Sequence, residues 1–158
     1  LHIRQLTEHD AASLVELLNS DGFIQNIGDR GVRTEQQAIE LLEMRYGCDY
    51  PTHGLFAVEC RATHQWLGTV SYLKRPFLEH DDIGYAFLPQ HCGKGYAFEA
   101  DSALIDHART RGETELLGVV DPTNVISIHL LEKLGFLLDG TVIMDGESEP
   151  ILRFKRAL

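Results

Sequence analysis

Positive charge is scarce in this chain. Lys and Arg number 14 against 24 Asp and Glu over 158 residues, a formal net charge of −10. Nucleic-acid binding rests on clustered Lys and Arg facing phosphates, so that class of partner is excluded, whereas a cationic partner or an amine substrate is compatible. Cysteine is sparse too. Cys48, Cys60 and Cys92 are an odd count with no C-x-x-C pair, which argues against a secreted disulfide framework and for a reducing compartment. No apolar run approaches the length of a membrane span. The opening LHIRQL lacks the charged start, apolar centre and small-residue cleavage site of a signal peptide, so a cytoplasmic location is expected and no membrane partner. Repeats, low-complexity tracts and Pro/Gly/Ser linkers are absent, and residues 1–158 read as one domain large enough to bury its own core. The eight histidines show neither H-E-x-x-H nor another ligand spacing, so no metal is expected.

What is present alternates strand and helix signals. LHIRQL reads as a first strand, and Asp10 is placed to cap a helix carrying Leu14, Leu17 and Leu18 on one face. FIQNIGDRGVR (23–33) reads as loop. Thr34 caps a second helix with Ala38, Ile39, Leu41, Leu42 and Tyr46 on its apolar side, ending near Gly47 and Pro51. Strands at 55–60 and 66–75 form a hairpin about a turn at Arg61 to Gln65, and a central strand follows at 82–88. A helix from Tyr96 to Arg111 stops at Gly112, and a strand covers 115–121. A short helix from Asn124 to Leu134, with Ile126, Leu130 and Leu134 on one face, closes at Gly135, and two strands near 137–143 and 150–156 complete an α+β, or mixed α/β, arrangement around one sheet.

The segment FLPQHCGKGYAFEA (87–100) raises the functional question. A strand running into a glycine turn and then a helix gathers free backbone N–H groups at the positive end of a helix dipole, a setting for phosphate or pyrophosphate. The Walker A pattern fails here in spacing and in its hydroxyl residue. The dinucleotide pattern G-x-G-x-x-G meets Phe98 where its third glycine belongs. The pattern Q/R-x-x-G-x-G/A is satisfied in full by Gln90, Gly93 and Gly95, with Tyr96 and Ala97 continuing it, and belongs to acyl-CoA binding.

With a second block, DPTNVISIHLLEKLGF (121–136), in which Asn124 opens a helix that Gly135 and Phe136 close, the chain resembles the GNAT superfamily of acetyl-CoA-dependent N-acetyltransferases. NIGDRGVRTEQQAIELL in the first half is similar to the branch of ribosomal-protein N-terminal acetyltransferases and their small relatives. The resemblance implies a mixed sheet with flanking helices whose central strands, 82–88 and 115–121, splay to admit the pantetheine arm of acetyl-CoA. Phe87 and Leu88 would contribute backbone hydrogen bonds, and the N–H groups of Cys92, Gly93, Lys94, Gly95, Tyr96 and Ala97 would hold the pyrophosphate. Lys94 either adds local positive charge or is a solvated loop lysine. Asn124 caps its helix and in the family also faces the cofactor.

Acetyl transfer to an amine acceptor needs a neutral amine, donors for the oxyanion and a proton for the departing thiolate. Asp82, just before IGYAF, is the leading base, with Glu79, His80 and Asp81 as neighbours able to take the role; the other reading is an exposed acidic turn. Main-chain N–H groups around 87–88 would meet the oxyanion. Many members of the superfamily carry a Tyr seven residues after the helix-opening Asn, where this chain has Leu131, and Ser127 is the substitute donor, or else a small packing residue. The resemblance thus implies direct acetyl transfer from acetyl-CoA to a primary amine, a protein N-terminus or a small molecule. The alternative is an acyl-CoA-binding protein of the same fold without turnover, and either form leaves room for a homodimer.

Overall fold

The computed structural model describes residues 1–46 and 51–158. Seven strands form one sheet in the order β1-β2-β3-β4-β5-β7-β6, comprising β1 (His2–Gln5), β2 (Gly54–Glu59), β3 (Trp66–Leu73), β4 (Asp82–Phe87), β5 (Glu115–Val120), β6 (Leu137–Ile143) and β7 (Pro150–Ala157). The helices are α1 (Ala11–Leu18), α2 (Asp21–Asn26), α3 (Glu35–Tyr46), α4 (Tyr96–Thr110) and α5 (Val125–Lys133). The mixed α/β reading holds. The β2–β3 hairpin closes about the expected turn, where the Cys60 N–H donates to the Gln65 carbonyl at 2.9 Å.

Both faces of the sheet are covered. One core joins Val58, Val70, Ile83 and Phe87 from the strands to Leu104, Ile105 and Ala108 of α4 and to Leu131 and Leu134. A smaller core gathers Ala11, Leu14, Leu18, Val32 and Ala38 around α1 and α3. Each fully buried aliphatic side chain contributes about 1.5–3 kcal/mol, so these two clusters fix the sheet between its helical layers.

Local caps follow the sequence with exceptions. The Thr34 hydroxyl accepts from the Gln37 N–H at 3.2 Å and starts α3 as expected. The expected terminator Gly47 and its neighbour Cys48 lie outside the described residues. Asp10 does not cap α1 with its side chain. Its two carboxylate oxygens accept from Arg4 at 2.8 Å each and one also from the Thr7 N–H at 2.8 Å, so the charge is committed to a short 3-10 turn before the helix. Part of the expected loop at 23–33 is helical, since α2 runs to Asn26 with the Ser20 hydroxyl at its N-cap. No residue of α2 is fully buried, and Phe23 alone packs against the smaller core, too little to form an apolar stripe. In α5 the inward residue is Leu131, whereas Ile126 of the expected apolar face is 81% exposed.

The feature that positions a site is the join between β4 and β5. It is the one parallel pair among the described residues, linked through the α4 crossover, and its ladder consists of a single register, Asp82 opposite Leu117. The Leu117 N–H donates to the Asp81 carbonyl at 2.9 Å, and beyond that rung the strands part as the resemblance implies.

Candidate active site

The parting strands open a cleft of about 1230 Å³, whose walls include Gly84 to Phe87 of β4 and Gly118 to Val120 of β5. The antiparallel ladder with β3 decides which backbone groups face it. The Leu88 N–H donates to the Leu67 carbonyl at 3.0 Å, and the Leu88 carbonyl accepts from the His91 N–H at 2.8 Å. Alternation along β4 therefore turns Ile83, Tyr85 and Phe87 toward β5. Of the two residues expected to offer main-chain donors, Phe87 retains that orientation, whereas the N–H of Leu88 is already engaged.

The glycine loop stands at the mouth. Gly93 and Gly95 have φ of 72° and 83°, left-handed values that side chains adopt only under strain, and a Cβ on either would meet no protein atom within 4 Å. The bare backbone thus borders open space, and Gly95 is the N-cap of α4, so the first N–H groups of a helix of 15 residues face outward unpaired within the helix. Cys92 and Gly93 line the cleft together with Asp82, Phe87, Asn124 and Ser127. Leu88, Gln90, Lys94, Gly95, Tyr96 and Ala97 do not line it. The Gln90 amide lies 3.4 Å from Glu16 Oε1, Lys94 is exposed, and Tyr96 and Ala97 form the first turn of α4.

Among the four acid–base candidates before β4, Asp82 alone lines the cleft. It is no exposed turn residue. Its carboxyl is 1% exposed, Oδ1 accepts from Arg75 Nε at 2.7 Å, and burial pushes its pKa above the ordinary carboxylate value even though Arg75 pulls the other way. Asp81 is also buried but pairs with His53 Nε2 at 2.9 Å, and His80 pairs with Glu115 at 2.7 Å. Glu79 is more than half exposed, 4.0 Å from Arg153.

On the opposite wall the Asn124 Oδ1 accepts from the Ser127 N–H at 3.2 Å, the expected cap of α5. Ser127 Oγ in turn lies 2.7 Å from Tyr85 Oη. Leu131 is buried against the bare backbone of β5, with its Cδ2 only 2.7 Å from where a Gly118 Cβ would stand. An aliphatic side chain therefore occupies the place of the phenol many relatives carry, while a different phenol reaches Ser127 from β4.

Two residues of this cleft escaped the sequence reading. Tyr85 lies two residues before Phe87 on the same strand face, a signal that alternation alone could have supplied. Asp101 is 1% exposed, lines the cleft, and has a buried Oδ1 with no hydrogen-bond partner; burial pushes its carboxyl pKa up to about 8. It occupies the same helical stripe as Leu104, Ile105 and Ala108, where a carboxylate is out of place. No cluster suited to a metal ion occurs among the described residues.

A family model described as the acetyltransferase (GNAT) domain matches residues 1–137. The uncharacterized N-acetyltransferase YoaA of Bacillus subtilis is 26% identical over 146 residues, covering 90% of this chain and 82% of its own. The spermidine N-acetyltransferase of Vibrio cholerae, solved with CoA and spermine, superimposes with a TM-score of 0.80 at 18% identity over 99% of this chain and 94% of that one. A ribosomal-protein-alanine N-acetyltransferase from Brucella melitensis gives a TM-score of 0.73 at 22% identity over 100% of both chains. At these identities the superpositions establish the fold.

Proposed function

Because the chain belongs to the acetyltransferase (GNAT) domain family, and so is an acetyl-CoA-dependent acyltransferase, we propose that it transfers acetyl from acetyl-CoA directly to a primary amine. The observation that carries this reading is the cleft between β4 and β5, open along its length, with a left-handed glycine pair at its mouth. A splayed strand offers main-chain groups to the amides of a pantetheine arm, and the start of α4 offers N–H groups and a positive dipole end to a pyrophosphate. In this reading Phe87 and the 92–97 loop hold the cosubstrate, Leu88 and Gln90 shape the turn between them, and Asn124 positions the facing helix.

The chain's own residues then supply the acid–base work. The inward-facing N–H of Phe87 serves the developing oxyanion. Asp82 stands at the closed end of the cleft, three residues and roughly 10 Å along the strand from Tyr85, so it takes the amine's proton through water. Its raised pKa makes it a stronger base than a solvent-exposed carboxylate. Ser127 faces the leaving thiolate from the other wall.

The acceptor we favour is cationic. Asp21, Asp82, Asp121, Asp145, Glu147 and Glu149 line the cleft against Arg30, Arg45, Lys74 and Arg75, an acidic excess in a chain already at −10. That setting favours an ammonium-bearing acceptor, a polyamine like the spermine bound in the structure of the Vibrio cholerae spermidine N-acetyltransferase being one example. Thiol release from acetyl-CoA in the presence of spermidine, an aminoglycoside or an alanine-initiated peptide tests the reading, alongside a thermal shift with CoA. CoA stabilisation without thiol release from any amine would instead favour the acyl-CoA-binding alternative.

A further inference from the structure

Resting on the acetyl-transfer reading, we infer that Tyr85 and Ser127 form a proton-donating pair that serves the departing thiolate in place of a phenol at position 131. The two hydroxyls come from opposite walls of the cleft, 42 residues apart in sequence, and meet at 2.7 Å. Either oxygen can donate in that contact. Ser127 lies in the first turn of α5, held there by its backbone bond to Asn124 Oδ1, so the same residue that caps the helix fixes the seryl oxygen. Tyr85 is held by its ring, 6.2 Å from Phe87, on the strand whose backbone faces the cleft. Leu131 cannot contribute a proton, and its side chain is packed onto Gly118.

A serine hydroxyl alone is a poor proton source, because its acidity is far below that of a thiol. A phenol is much closer, with ordinary values near ~10 for Tyr and ~8.5 for a thiol. Burial raises the phenol further, so Tyr85 stays protonated through the physiological range. The same enclosed surroundings raise a thiol within the cleft, which preserves the match between donor and acceptor.

The amine nitrogen forms its bond to the acetyl carbon and the carbon–sulfur bond breaks, its electron pair passing to sulfur. Sulfur takes the proton of Ser127 Oγ as Ser127 takes that of Tyr85 Oη. The proton shed by the amine returns the phenol to its neutral form through solvent. Nothing is oxidised or reduced, and no further reactant is required.

Tyr85→Phe, Ser127→Ala, the double variant and Ser127→Thr would be compared with wild type, using acetyl-CoA and the fastest amine among spermidine, an aminoglycoside and an alanine-initiated peptide. CoA affinity by calorimetry and Tm would be recorded for each. The expected result is a fall in kcat of roughly 10²-fold in each hydroxyl-deleting single variant and no further fall in the double, with KM, CoA affinity and Tm close to wild type. Ser127→Thr, which keeps the hydroxyl, recovers most of the rate. Turnover of Tyr85→Phe within about threefold of an active wild type overturns the pair and leaves acetyl transfer standing. Losses that multiply in the double variant, or that fall on CoA affinity, mark a packing role and overturn it as well. A wild type that binds CoA and releases no thiol overturns acetyl transfer and the pair together.

Discussion

Arg75 Nε donates to Asp82 Oδ1 across 2.7 Å, and the two ends of this bond live in different media: the carboxyl is 1% exposed while the arginine side chain keeps 22% of its surface in water. Burial raises the carboxyl's pKa and the guanidinium lowers it, with burial the larger influence. The arginine therefore limits how far burial raises the carboxyl's pKa.

Asp82→Asn is expected to leave CoA affinity unchanged, to lower turnover by roughly 10²-fold to 10⁴-fold, and to remove the acidic limb of the pH–rate profile. That limb is the relevant one because a base works only after losing its proton. Arg75→Gln is expected to keep the limb and move it to higher pH, since the variant loses the charge that holds Asp82 down. Profiles of kcat/KM for the three proteins check this, and coincident limbs would remove Asp82 from the chemistry.

Gly93→Val and Gly95→Val are expected to weaken CoA binding by at least tenfold while the protein stays folded. Neither Cβ would strike the protein, so the effect has two other sources: a left-handed φ that costs about 1–3 kcal/mol for a non-glycine residue, and a side chain thrust into the space proposed for the phosphates. Calorimetric titration with CoA measures it, and unchanged affinity in a folded variant would move the phosphate site elsewhere.

Asp101 makes stability depend on pH. Its carboxyl is pushed up to about 8 from an ordinary 3.8, so the native state holds the proton in a range where the unfolded chain has released it. The corresponding stability is complete below about pH 4 and is lost as pH rises through about 8. Asp101→Asn removes that dependence. At pH 9 the variant is expected to exceed wild type by at least about 2 kcal/mol, roughly 4–8 °C in Tm, and at pH 4 to match or fall below it. Parallel melting curves across this range would contradict a buried, unpartnered acid.

Asn124→Ala is expected to cost about 1 kcal/mol, the loss of one N-cap, or roughly 2–4 °C in Tm. Turnover should fall more than stability alone explains, because Ser127 loses the bond that holds its turn of α5. Asn124→Ser, which keeps a capping oxygen, should restore most of the Tm; a variant as labile as Asn124→Ala would show that the cap is not the cause.

Much of the architecture was legible because it rests on local patterns. The run from Ile83 to Leu88, the glycines at 93 and 95, and the Asn124 to Gly135 helix announce themselves through apolar continuity, left-handed turns and capping chemistry. What stayed hidden depends on tertiary placement. Asp10 carries the residue type of a cap, but Arg4 claims its charge from the neighbouring strand. The helix at 21–26 has no fully buried residue and packs only Phe23 against the smaller core, so little periodicity marks it. Leu131 and Ile126 both fit a helical stripe, and only the approach of Gly118 decides which one is inside. Tyr85 and Ser127 could not be joined by reading along the chain, since their meeting depends on how the strands part. Asp101 was visible in principle, as a charge on the apolar stripe of its helix.

The single rung at Asp82 and Leu117 also has a mechanical meaning. The sheet is two ribbons, β1 to β4 and β5-β7-β6, whose main chains are stitched at one point, while side-chain packing under α4 and side-chain pairs such as His80 with Glu115 add adhesion. Their inner borders are strand edges in the middle of a sheet, left without a neighbouring backbone. A ligand lying between them acts as a missing strand. Amide hydrogen exchange at Tyr85, Phe87 and Val119 should therefore slow when CoA is added, while exchange along the continuous β2–β3 ladder stays the same.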